Sequence, residues 1–88
     1  MPNDISPHRK ALVSFNLVHE KGKLGEVLQV LASYDASVLT ITQNLPINGK
    51  AHVLVSLDLT NVKKSVEEII LSVSNVKGTS GTQLVAVD

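Results

Sequence analysis

Eighty-eight residues make one small domain and leave no room for a second. Eight basic residues cancel eight acidic ones, which removes the electrostatic footprint that nucleic acid or an anionic membrane surface would require. With no cysteine there is no disulfide frame, thiol nucleophile or cysteine zinc site; at 43% apolar residues the chain is too hydrophobic for disorder, yet no run nears the roughly 20 residues that span a bilayer.

Residues 1 to 9 are polar, hold two prolines and show no period, so they read as a loose arm or the cut edge of a longer protein. Met1-Pro2-Asn3-Asp4-Ile5-Ser6-Pro7 has no hydrophobic signal core, and a cytoplasmic location is the expectation. The domain is expected over 10 to 88. From Ala11 to Val18 the chain alternates, with Val13, Phe15 and Leu17 on one face and Ser14 and Asn16 on the other, which predicts a half-buried strand. His19-Glu20-Lys21-Gly22 breaks it. Leu24, Val27, Leu28, Leu31 and Tyr34 then follow a helical period.

Asp35-Ala36-Ser37 is a stop, and Val38 to Leu45 alternates again with many β-branched residues. Asn48-Gly49 predicts a hairpin turn because both residues tolerate positive φ. Ala51 to Asp58 forms the return strand. Thr60 and Asn61 are candidate caps for a second helix with the apolar stripe Val62, Val66, Ile69, Ile70 and Val73. Val76 to Gly81 reads as a connection and Gln83 to Val87 as the last strand.

The order is βαββαβ. Right-handed crossovers place both helices on one face of a four-stranded antiparallel sheet, in spatial order 4-1-3-2: an α+β, ferredoxin-like sandwich. In strict alternation Leu39 and Ile41 face the helices, while Val38, Thr40, Thr42 and His52 lie on the open face. The second strand occupies an edge that no lysine, arginine or proline blocks between Val38 and Asn44. Edge-to-edge homodimerisation through Val38, Thr40, Thr42 and Asn44 is therefore expected.

Leu17-Val18-His19-Glu20-Lys21-Gly22-Lys23-Leu24 resembles the first loop of ACT domains, in which an acidic strand end is followed by Pro-Gly-x-Leu opening the first helix. Gln43-Asn44-Leu45-Pro46-Ile47-Asn48-Gly49-Lys50-Ala51 resembles the hairpin of the small PheB-like ACT proteins. Together they cover residues 11 to 87. The resemblance implies a regulatory, non-catalytic module that binds an amino acid or related metabolite between paired domains, with no cofactor and no metal. It places the ligand against Glu20, Lys21, Gly22, Lys23, Leu24 and Gly25, with Ser37 and Val38 of the second strand. Lys21 stands where the family prefers proline, and Ser37 where its Gly-x-Asn-Ile signature has asparagine.

The residues themselves agree on that corner. Gly22 lets a backbone approach a ligand, and a helix start offers N–H groups to a carboxylate, although a plain turn glycine explains Gly22 as well. A ligand-free dimerisation module is the alternative. A chorismate-mutase-type enzyme, a label some PheB-like proteins carry, needs converging cations, and the only arginine is Arg9. His8, His19 and His52 lack metal-ligand spacing, and the sheet lacks the paired aromatics of an RNA-recognition fold.

Overall fold

The computed structural model describes residues 9 to 88. Six elements follow in order: β1 (Lys10–Val18), α1 (Lys23–Ser33), β2 (Ser37–Gln43), β3 (Lys50–Asp58), α2 (Val66–Ser74) and β4 (Thr79–Val87). All pairings are antiparallel and the sheet runs β2-β3-β1-β4, the expected 4-1-3-2 order read from the other edge. Residues 1 to 8 of the expected arm lie outside the described residues. Arg9 is joined to the fold: its N–H donates to the Asp88 carbonyl at 3.1 Å and its own carbonyl accepts from Leu59 at 2.7 Å.

The core lies between the sheet and the helices. Ala11, Val13, Phe15 and Leu17 of β1 meet Ala51, Val53, Val55 and Leu57 of β3 in direct cross-strand register. Val27 and Leu31 of α1 and Val66, Ile69 and Val73 of α2 close the layer above them. Burying side chains of this size contributes roughly 1.5–3 kcal/mol each, the main favourable contribution in so small a domain. Tyr34 Oη hydrogen-bonds Ser72 Oγ, tying the end of α1 to α2.

Asn48 and Gly49 adopt φ of +54° and +78°, and Ile47 and Lys50 exchange backbone hydrogen bonds of 2.8 and 3.1 Å around them. The dipeptide makes the two-residue turn its chemistry favours.

Three local expectations are corrected. Val38 does not face away from the helices. The register slips by one residue between Val38, opposite Leu57, and Thr40, opposite Ser56. The unpaired Leu39 is a bulge that reverses the alternation, so Val38 packs against the core while Leu39 stays 49% exposed. Helix α2 begins after Ser65, whose hydroxyl accepts from the Glu68 N–H at 3.3 Å. Thr60 instead donates its backbone N–H to Asp58 Oδ1, and Val62 is buried ahead of the helix. Finally, β4 starts at Thr79, whose hydroxyl lies 2.9 and 2.8 Å from the carbonyls of Val73 and Val76 and can donate to either, and Gly81 at φ +61° lets the strand bulge rather than end.

Among the described residues no helix is long and apolar enough to cross a membrane.

Candidate functional site

The corner beginning at Glu20 is shaped by its glycine. Gly22 is the N-cap of α1 with φ +87°, a backbone that lets the chain turn sharply out of β1. Having no side chain, it cannot cap the helix as Ser65 caps α2. The Lys23 N–H donates to Glu20 O at 3.2 Å and the Glu26 N–H to Gly22 O at 3.1 Å. Between them, the N–H groups of Leu24 and Gly25 have no partner among the described residues. An added Cβ at Gly22 or Gly25 would meet nothing within 4 Å, so the two glycines leave open space beside this turn. Unsatisfied N–H groups at the positive end of a helix attract a carboxylate.

The surrounding charges are mixed. Lys23 Nζ lies 3.5 Å from Glu26 Oε2, one turn along the same helix. The Lys23 stem runs beside Gly78 in the turn before β4, so part of this side chain is packing rather than free cation. Glu20 and Lys21 are exposed, and Leu24 packs on the core.

Ser37 and Val38 are not beside these residues in one copy. The chain climbs β1, descends α1 and enters β2 at the opposite end, where Ser37 pairs with Asp58, itself paired with Lys10. Eleven residues of α1 separate the two groups by roughly 16 Å. Ser37 is exposed, while Val38 is half-buried by the bulge. Contact between the two groups therefore requires a second copy that brings its own β2 to this helix start.

Thr40 and Thr42 of β2, with Asn44 just after the strand, are exposed at the sheet's edge. Thr40 Oγ1 is also 2.6 Å from Ser56 Oγ on β3, and the Leu39 bulge interrupts the ladder that a partner strand would extend. A partner strand would consequently meet the most regular ladder over Thr40 to Gln43. His19 and His52 sit on different elements, and among the described residues no group of three histidine, aspartate or glutamate side chains could hold a metal.

Sequence reasoning did not single out Asn16 or Lys50, which share a depression with Asn44 and His52 on the open sheet face. The signal was present in the strand alternation, since Asn16 and His52 are direct cross-strand partners.

No family model matches the chain. It is 34% identical over 88 residues to a UPF0735 ACT domain-containing protein of Lacticaseibacillus casei (strain BL23), covering 100% of this chain and 61% of that protein. The chain thus spans about three fifths of the length of that curated relative. The crystal structure of the ACT domain from the GTP pyrophosphokinase of Chlorobium tepidum superposes with a TM-score of 0.70 at 15% identity, over 89% of this chain and 99% of that one. The ligand-free regulatory subunit of aspartate kinase from Thermus thermophilus gives 0.61 at 15% identity, over 85% and 50%. These two share the fold. The βαββαβ sandwich and the sequence match agree: the chain resembles ACT domain proteins in both fold and sequence.

Proposed function

We propose that this chain is a non-catalytic regulatory module, with residues 10 to 88 as the binding unit, that holds an amino acid or a related metabolite between two copies. The observation that carries the reading is the pair of unpartnered N–H groups at Leu24 and Gly25 at the start of α1, beside two glycines whose Cβ positions are open. They would donate to the ligand carboxylate, with Lys21 adding positive charge and Gly22 permitting close approach. Ser37 of a second copy would supply a hydroxyl to the ligand's other polar groups. Thr40, Thr42 and Asn44 along the free edge of β2 would carry the partner contact. The hairpin motif supports placing the chain beside the small PheB-like members. That a regulatory subunit of aspartate kinase shares the fold supports the assignment to control rather than catalysis.

The test pairs two measurements. Sedimentation should show a dimer that Thr42→Lys weakens, and a panel of amino acids at millimolar concentration should raise the melting temperature for one or a few of them, by selective binding to the native state. No response to any member of the panel would end the ligand reading for this chain. A dimer that persists without such a response would leave the second reading, a ligand-free dimerisation module. Lys21 and Ser37, which replace the proline and asparagine of the family pattern, favour that alternative.

A further inference from the structure

We propose a second ligand site, separate from the start of α1, at the hairpin end of the open sheet face: a pocket for a small monocarboxylate with an apolar tail.

Strand alternation assembles its floor. Asn16 of β1 and His52 of β3 face each other across the ladder, and the Asn44 N–H donates to the His52 carbonyl at 3.0 Å, bringing the end of β2 alongside. Lys50 lies two residues from His52, on the same face. The tight turn at Asn48-Gly49 sets Leu45 and Ile47 beside these residues. Asn16, Asn44, Leu45, Ile47, Lys50 and His52 line a depression of about 240 Å³.

The position of Asn16 has its own support on β4. A Cβ added at Gly81 would come within 3.0 Å of Asn16 Nδ2, so the glycine in that bulge leaves the space into which the carboxamide lies.

The chemistry of the lining selects the ligand. Lys50 is its only residue of fixed charge and no carboxylate lines it, so the pocket favours one negative charge. Two carboxamides and an imidazole offer further donors to carboxylate oxygens. Among the described residues no hydrogen bond or ion pair occupies these four polar side chains. In the same lining, Leu45 and Ile47 are 86% and 73% exposed, the two most exposed large hydrophobic residues described. Covering them with an aliphatic or aromatic tail recovers the hydrophobic free energy they forgo in water. A volume below the range of drug-sized sites limits the ligand to about ten non-hydrogen atoms.

The experiment is a titration of the isotope-labelled chain with hexanoate, acetate and hexanamide, followed through backbone amide NMR shifts. Hexanoate should give saturable shifts at Asn16, Asn44, Gly49, Lys50 and His52 and leave Leu24 and Gly25 in place. Acetate, lacking the tail, and hexanamide, lacking the charge, should each bind at least tenfold more weakly. Lys50→Met, an exposed substitution, should weaken hexanoate at least tenfold, and Ile47→Ser should shrink its advantage over acetate. Shifts centred on Leu24 and Gly25, equal binding of hexanamide, or indifference to Lys50→Met would overturn the site. So would shifts at these residues that depend on protein concentration alone, because a second copy would then cover the face. Failure of the amino-acid panel leaves this titration unaffected, so the two readings fail separately.

Discussion

The backbone N–H of His19 donates to the carbonyl of Gly49 at 2.8 Å, joining the loop that opens α1 to the tip of the β2–β3 hairpin. Two segments far apart in sequence are therefore mechanically linked at one end of the sheet. Gly49→Ala places a Cβ on a backbone with φ +78°, at a cost of about 1–2 kcal/mol. The expected result is a melting temperature lower by at least about 4 °C. Amide exchange at His19 should also become about fivefold faster or more. An unchanged His19 rate in a destabilised variant would show that the hairpin does not hold the loop.

Gly22 and Gly78 separate backbone strain from packing. Both have positive φ, +87° and +101°, but a Cβ at Gly22 meets open space whereas one at Gly78 would stand 2.7 Å from Val18 Cγ2. Gly22→Ala should cost about 1–2 kcal/mol from strain alone. Gly78→Ala should cost a further 1–3 kcal/mol or so from overpacking. Denaturant titration of both variants measures the difference. Equal losses would mean that Val18 moves aside freely.

These residues also mark what was legible in the sequence. Alternation in β1 and β3, the helical spacing from Leu24 to Tyr34 and the Asn48-Gly49 turn are local signals, and each produced its element. The bulge at Leu39 was not legible: Val38 and Leu39 are both apolar and either could face the core, so only pairing against β3 reveals the extra residue. Thr60-Asn61 and Ser65 are all capping residue types, and the turn from Asp58 to Val62 decides among them. Thr79 to Thr82 carries no apolar pattern because its strand is defined by ladder bonds to β1. For the candidate site, Gly22 and the helix start were visible. The distance from Gly22 to Ser37 was not, since it depends on α1 lying between them.

Thr82 carries a buried hydroxyl with no partner among the described residues. Valine has nearly the same shape without the desolvated oxygen, so Thr82→Val should stabilise the domain by about 1 kcal/mol. Thermal unfolding is the measurement. A loss of stability would indicate that a water or a residue outside those described satisfies the hydroxyl.

The Asp58 carboxyl is held below the ordinary aspartate value of 3.8, first by the Thr60 side-chain hydrogen bond, then by the Thr60 backbone N–H, and less by the charges of Lys10 and Arg9. The folded carboxylate therefore resists protonation more than the unfolded one. Its contribution is complete above the unfolded value and disappears as pH falls through the lower folded value. Asp58→Asn should be less stable at neutral pH and lose less on acidification than the parent. Parallel stability curves for the two proteins between neutral and strongly acid pH would contradict this.

The placement of Ser37 a helix length away from Gly22 has a consequence for control. If a metabolite contacts both ends of α1 as proposed, it would be held only where two chains meet, and dilution would release it even at constant metabolite level. Such a sensor would report the product of two abundances, that of its ligand and that of itself.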